Sequence, residues 1–536
     1  MALNAVTSAE SDPHGSAHAG PTGAGPTGAG PTGTGSTRAG PIGTGSAGTP
    51  LARGVLVVAA GVAAVLVASA SRYGYHRDEL YFLAAGHHPA WSYDDQGPLT
   101  PLVARAMDAI APGSLTVLRL PSALAAGLTV LLTGLLAREL GARGRAQLLA
   151  ATTAAVAVIV LFTGHTLSTA TFDLLVWTAA SWLVVRAQRT GDDRLWLLVG
   201  TVLGVGLLNK PLPAFLAAGL VVTIAVAGPR RLLASGCLWT GAVIMIALWS
   251  PWLVWQAGHG WPQLAVSRSI AAGNSASSQP WWQILPFQAL LAGPLLAPVW
   301  IVGLVRLLRA PALRRLRFLG WTYLLLAVVF MATGGKSYYL AGLLPVLIAA
   351  GAAPVDAWLD RGRPHVRRAV TAVVVALSAV AGLLIGLPVL PASNAGPIVA
   401  MNADVGETIG WPDLVRTVAQ VARQVPPGRG TPVILARNYG EAGAVDRYGP
   451  ALGLPAAYSG HNAFGDWGPP PDRDGPVVAI GFRPSSAAPF LRGCRVGAYV
   501  DNSAGVDNDE RGKPVLICDG PVRPWSREWP SLRHLG

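Results

Sequence analysis

The sequence predicts a polytopic α-helical membrane protein of about eleven transmembrane helices, followed by a small exported α/β domain at the carboxy terminus. Composition is the first observation. Of 536 residues 51% are hydrophobic and only 12% charged, with a mean hydropathy of +0.44, whereas soluble domains carry about 25% charged residues. An ordinary soluble enzyme is excluded. Apolar runs that recur along the chain are the second observation, and alternating charge in the loops between them is the third. The net charge is +13, yet residues 395–536 hold 14 basic and 14 acidic residues and are neutral. The basic excess therefore belongs to the apolar part, as membrane topology demands, and nucleic-acid binding is excluded. The three cysteines, Cys237, Cys494 and Cys518, exclude a disulfide scaffold or a multi-cysteine metal cluster.

Residues 1–50 contain GPTGA-type repeats of period five. Such a Gly/Pro/Thr tract buries too little surface to offset its ordering entropy, so it reads as a disordered cytoplasmic tail. The first apolar run, 54–71, reads as a retained span rather than a cleaved signal. Further spans are expected at 120–137, 146–164, 166–185, 195–208, 212–228, 232–255, 284–305, 318–333, 337–353 and 369–390. The run 195–228 is broken at Asn209-Lys210-Pro211-Leu212-Pro213. As one helix it would be about 50 Å long, too long for a bilayer core of about 30 Å, so two short spans fit better.

Short loops at 138–145, 186–194, 230–231, 306–317 and 361–368 carry 17 arginines, against six basic residues in the alternate loops. Arginine stays cytoplasmic, which predicts a multi-pass plasma-membrane protein with the amino terminus inside. The long loop 72–114 and the carboxy-terminal region then lie outside. That region, 395–536, alternates turns with apolar strands at 432–436, 476–480, 495–500 and 514–518, after a helix at 412–425. Cys494 and Cys518 stand at strand ends, where a bridge or two buried thiols are both compatible with the sequence.

Chemistry is expected near the loop 72–114. Asp78 and Glu79 form an acidic pair just beyond the first span, suited to deprotonating a hydroxyl or holding a cation. Neighbouring helix residues point about 100° apart, so one carboxylate is expected to face the site and the other to position it. A solvated helix start is the plainer alternative. His87 and His88 could ligate a metal or lie on the surface, and a divalent metal stays open while no other cofactor is called for. Residues 102–110 alternate with the period of an amphipathic surface helix. Asp173 lies inside an otherwise uncharged span, where a carboxylate needs a polar cavity or a cationic partner, and His165 sits at the mouth of the same hairpin. Only three of the 40 basic residues are lysines. Two of them, Lys210 and Lys336, stand at span mouths where a compact ammonium suits a lipid phosphate, although snorkelling would also put them there. Arg119 is a third candidate phosphate contact. Trp249, Trp252, Trp255, Trp281 and Trp282 could stack on a sugar or form an interfacial belt.

Arg77-Asp78-Glu79-Leu80-Tyr81, Asp95-Gln96-Gly97-Pro98-Leu99, Asp173 and Lys336-Ser337-Tyr338-Tyr339 together resemble glycosyltransferase family 39, the dolichyl-phosphate-mannose–protein mannosyltransferases and their aminoarabinose-transferring bacterial relatives. The resemblance covers roughly residues 54–390. Members often carry Pro-Pro where this chain has Gly97-Pro98. It implies a GT-C fold over 51–390 and an inverting transfer of a sugar from a polyprenyl-phosphate donor to a hydroxyl of a glycan, protein or lipid acceptor at the outer face of the bilayer. By the same resemblance Asp78 is the general base with Glu79 in support. Lys336, with Arg119 or Lys210, holds the donor phosphate, and Asp173, His165, Asp95 and Tyr338 are supporting polar groups. A transporter or flippase of lipid-linked sugars is the alternative, suggested by Asp173 and the proline-broken hairpin.

Overall fold

The computed structural model describes residues 49–273 and 278–536; the expected tail lies almost wholly outside them. Every apolar run becomes helix. The first is α1 (Arg53–Ser69), followed by α2 (Arg77–His87) and α3 (Leu99–Ile110) within the expected long loop. The apolar part continues through α4 (Leu115–Glu139), α5 (Gly144–Ala155), α6 (Val158–His165), α7 (Thr169–Thr190), α8 (Leu195–Leu207), α9 (Leu212–Ala227) and α10 (Gly236–Gly258). The short α11 (Pro262–Ala271) precedes α12 (Ile284–Ala292), α13 (Ala297–Arg309), α14 (Arg317–Ala332), α15 (Leu344–Leu359) and α16 (Pro364–Gly386).

Among the described residues six helices are long and apolar enough to cross a bilayer, or eight if each of two bent pairs is one span. The bent pairs are α5–α6, at 55°, and the segment joining α12 to α13, at 92°. The remaining runs give α1, α8 and α9, with 17, 13 and 16 residues, short of the ~20 that span a bilayer untilted. Six to eight of the expected eleven spans thus have the length and composition to cross a bilayer among the described residues. The proline-broken run does form two helices, because Pro211 cannot continue α8.

After α16 come two short helices, α17 (Gly396–Met401) and α18 (Ala403–Gly406), then α19 (Trp411–Ala422). Strands β1 (Val433–Ala436), β2 (Ala457–Ser459), β3 (Val477–Ile480), β5 (Arg495–Tyr499) and β6 (Pro514–Cys518) form one sheet in the order β2-β1-β3-β6-β5. β1 runs parallel to β2 and β3, while β6 pairs antiparallel with β3 and β5. β4 (Leu491–Arg492) pairs with β7 (Gly520–Pro521). β1 and β3 are buried along their whole length, which is why both read as unbroken apolar runs. Helix α20 (Tyr439–Tyr448) follows β1 and starts with a capping box between Asn438 and Glu441. Cys494 and Cys518 are bonded to each other.

Two cores matter for the site. One fills the space between the apolar helices. The other joins Leu80, Tyr81 and Phe82 of α2 to Ala442 and Val445 of α20 and to the sheet. Contact is tight there: a Cβ on Gly443 would lie 3.0 Å from the Leu80 backbone. The segment after the first helix and the carboxy-terminal region thus share one apolar interior.

Candidate active site

A cavity of about 650 Å³ opens where α2, the loop leading into α3, the α8–α9 break, the start of Ser337–Leu359 and the carboxy-terminal region converge. Asp78, Asp95, Lys210, Lys336 and Tyr338 all line it. One end is polar; the other runs between Phe162, Phe215, Leu253, Leu290 and Phe330. Trp249 and Trp252 stack on each other at 5.0 Å and line the wall, whereas Trp281 and Trp282 are exposed and apart from it.

Asp78 stands in the first turn of α2, its side chain 42% exposed toward the cavity. Its Oδ1 accepts a hydrogen bond from the Tyr439 hydroxyl at 2.9 Å. Burial would raise its pKa, but His76, Arg77, the Tyr439 hydroxyl and Lys336 outweigh burial and hold the carboxyl below its ordinary value. The group is therefore an anion, ready to accept a proton, throughout the neutral range.

Glu79 and Arg119 depart from the sequence expectation. Glu79 is fully buried, and Arg119 donates to it twice, through Nε at 2.8 Å and Nη2 at 2.7 Å. The remaining Arg119 donors go to the carbonyls of Ala70 and Gly74, both at 2.7 Å, and Nη1 lies 3.4 Å from His165 Nε2. Glu79 also accepts from the backbone of His76 and Leu167, each at 2.8 Å. None of Glu79, Arg119 and His165 lines the cavity. With every donor engaged, Arg119 has none left for a phosphate. Glu79 fixes the start of α2, the turn that carries Asp78.

Asp173 likewise does not line the cavity. It is buried, accepts from Trp177 Nε1 at 3.1 Å, and interacts electrostatically with Lys210. Lys210 in turn donates to the Tyr338 hydroxyl at 2.8 Å and lies over the rings of Tyr338 and Tyr339, 4.8 and 5.4 Å from their centroids. Lys336 differs: it lines the same cavity, and its ammonium has no hydrogen bond or ion pair to any described residue. Its approach follows the end of α14, where Gly334 adopts φ +66° and lets the chain turn back.

Asp95 is held by two donors, the Tyr81 hydroxyl at 2.8 Å and Asn462 Nδ2 at 2.9 Å. Burial pushes its pKa up to about 6, opposed by the Tyr81 hydrogen bond and reinforced by the charge of Asp78. Since this lies above the ordinary value, the stability it contributes is complete at low pH and is lost as pH rises through about 6.

The Asp95–Leu99 loop is seated on the α8–α9 break. Gly97 N–H donates to the Asn209 carbonyl at 3.1 Å, Leu99 N–H to the Leu208 carbonyl at 3.0 Å, and the Thr100 hydroxyl to Asn209 Oδ1 at 2.6 Å. A Cβ on Gly97 would lie 2.0 Å from the Leu208 carbonyl oxygen. Glycine is required here, and a proline would also remove the donor. Gly97→Ala is expected to push the loop off this seat, at about 1–3 kcal/mol; a lower thermal midpoint in detergent, with unchanged insertion, is the measurement.

Tyr439, His461 and Asn462 also line the cavity and carried no signal in the apolar part of the sequence. Tyr439 stacks on Tyr81 at 4.6 Å and lies 4.8 Å from the ring of His461. The pattern Asn438-x-x-Glu441 marks a helix start, which puts Tyr439 in its first turn; that much was readable. Among the described residues no group of three or more His, Cys, Asp or Glu could hold a metal, and His87 and His88 are not brought to the cavity.

Residues 95–255 match the model of the dolichyl-phosphate-mannose-protein mannosyltransferase family. The undecaprenyl phosphate-alpha-4-amino-4-deoxy-L-arabinose arabinosyl transferase 1 of Pseudomonas fluorescens (strain Pf0-1) is 31% identical over 272 residues, 45% of this chain and 45% of that protein. The chain thus spans under half the length of this curated relative. ArnT from Cupriavidus metallidurans superposes with a TM-score of 0.54 at 16% identity, covering 87% of this chain and 98% of ArnT, both in its apo state and bound to undecaprenyl phosphate. The family's model thus matches the segment 95–255, and the chain as a whole shares the fold of ArnT.

Proposed function

We propose that the chain is a membrane glycosyltransferase that moves a sugar from a polyprenyl-phosphate donor to an acceptor hydroxyl, with inversion. The observation that carries this reading is one cavity holding an anionic Asp78 and an unpaired Lys336 at its polar end, continuous with an apolar channel. In the reaction Asp78 takes the proton of the acceptor hydroxyl as its oxygen attacks the anomeric carbon. The bond from that carbon to the phosphate oxygen breaks, and its electron pair leaves with the polyprenyl phosphate. The departing monoester carries more negative charge than the diester did, so a fixed ammonium favours the transition state over the ground state.

Lys336 is the first phosphate contact in this scheme, with the Tyr338 hydroxyl beside it. Lys210 supports them by holding Tyr338 rather than by meeting the phosphate first. ArnT bound to undecaprenyl phosphate supports the lipid-borne donor, and the transferase relatives favour chemistry over passage of a lipid-linked sugar. The same reading puts the polar end of the cavity and the carboxy-terminal region, 395–536, on the outer side of the plasma membrane, with α1, α8 and α9 crossing as tilted or distorted short spans.

Purified protein in lipid nanodiscs, given undecaprenyl-phosphate-linked mannose, arabinose and aminoarabinose in turn with a membrane extract as acceptor, tests the reading. Label moving to an acceptor from at least one donor is expected; no transfer from any of the three, with no saturable binding of undecaprenyl phosphate, overturns it. Lys336→Ala is expected to raise the donor KM about tenfold or more, the effect of losing one charge-assisted hydrogen bond. An unchanged donor KM would remove Lys336 from the phosphate site.

A further inference from the structure

We infer that Asn462 is a positioning residue that fixes Asp95 as an acceptor-only anion beside Asp78, and that the strap 533–536 holds Asn462 in that role. The inference deepens the transfer reading and rests on it.

The hydrogen-bond directions leave little freedom. Asn462 Oδ1 accepts from the Gly536 N–H at 3.1 Å. Its Nδ2 must therefore face Asp95 Oδ2 as a donor. The Tyr81 hydroxyl oxygen accepts from the Ala463 N–H at 3.3 Å, so its own hydrogen goes to Asp95 Oδ1. Both oxygens of Asp95 thus receive a donor, which favours the ionised carboxyl over the protonated one.

Backbone conformation gives a second, independent sign. Asn462 is buried and has φ +49° and ψ −139°, a region that glycine enters freely and a side chain does not. If only the turn mattered, glycine would serve better. What asparagine adds is the amide that links Asp95 to the strap. The strap fixes the turn from the other side: Asn462 N–H donates to the His534 carbonyl at 3.0 Å, His534 N–H to the Gly460 carbonyl at 2.9 Å, and His461 Nε2 lies 3.3 Å from the Gly536 carbonyl oxygen. The Ser269 hydroxyl of α11 donates to the Leu535 carbonyl at 2.9 Å, so the strap also ties α11 to this wall.

Other charged and titratable groups around Asp95 are Asp78 and Tyr81 on α2, Asp94 on its own segment and Tyr439 on α20. Asn462→Gly leaves all of these in place, relieves the backbone and removes one donor from Asp95. Loss of one donor is expected to move the Asp95 pKa up by about one unit.

Two readouts test this. In nanodiscs, with whichever undecaprenyl-phosphate-linked sugar the wild type uses, Asn462→Gly is expected to lose about fivefold in kcat/KM at pH 6 and under about twofold at pH 8.5, with an unchanged thermal midpoint. An infrared titration of the protonated-carboxyl band, assigned through Asp95→Asn, is expected to show the matching upward shift whether or not a donor is known. A loss of equal size at every pH, or a carboxyl titration that superposes on the wild type, overturns the inference while leaving the transferase reading intact. Wild-type inactivity with every donor would instead overturn that reading, and the infrared titration would still decide the role of Asn462.

Discussion

Asp78→Asn is expected to lower sugar transfer by about 10²–10⁴-fold, the usual contribution of a general base, while the protein inserts and folds as before. Asparagine has nearly the shape of aspartate, and its carbonyl oxygen can still accept the Tyr439 hydroxyl that Asp78 Oδ1 accepts at 2.9 Å. What it lacks is a lone pair basic enough to take a proton. Donor binding should persist or tighten, because removing a negative charge that Lys336 feels leaves the ammonium freer for phosphate. Binding of labelled undecaprenyl phosphate together with transfer rate separates the two effects. Retained transfer would remove Asp78 from the mechanism, and transfer lost together with binding would make Asp78 a structural group. Since the Asp78 carboxyl is held below its ordinary value while Asp95 sits at about 6, the acid limb of the wild-type pH profile should report Asp95, with activity rising as pH increases through about 6.

How much of this was legible beforehand follows from what local sequence encodes. A membrane span is a property of some twenty consecutive residues, so each apolar run was readable and each is helical. Whether α1, α8 and α9 are long enough to cross was not readable, because helix ends depend on packing and on breaks such as Leu208–Pro211. Asp78 and Lys336 could be found as isolated ionisable groups at span mouths, and the structure brings both to one cavity. Pairing was the illegible part. Nothing local says that Arg119 belongs to Glu79, 40 positions away, so two candidate functional groups turn out to neutralise each other. Nor do the unbroken apolar runs of β1 and β3 say that the turn at Asn462 will be delivered to Asp95, 367 positions distant. Periodicity predicts which residues are buried; it does not predict against what.

That pairing leads to the second large effect. Arg119→Ala is expected to cost about 3–5 kcal/mol, because it leaves the Glu79 carboxylate buried without its cation. Glu79 is 0% and Arg119 1% exposed, so water cannot replace the lost partner without opening the fold. The damage would spread, since this one guanidinium also holds the carbonyls of Ala70 and Gly74 and so closes the segment between α1 and α2. The measurement is the thermal midpoint in detergent, in a cycle with Glu79→Gln. The double variant should recover part of the loss, as neither member then leaves an unpaired charge. Arg119→Lys separates this role from the phosphate contact that the sequence suggested. A lysine keeps the charge but has three donors on one nitrogen, and cannot span Glu79, Ala70 and Gly74 together. It should therefore be clearly destabilised with its donor KM unchanged in the protein that remains folded. If instead Arg119→Lys kept the wild-type midpoint and raised the donor KM, Arg119 would be meeting the phosphate, and the ion pair with Glu79 would have to open in the working enzyme.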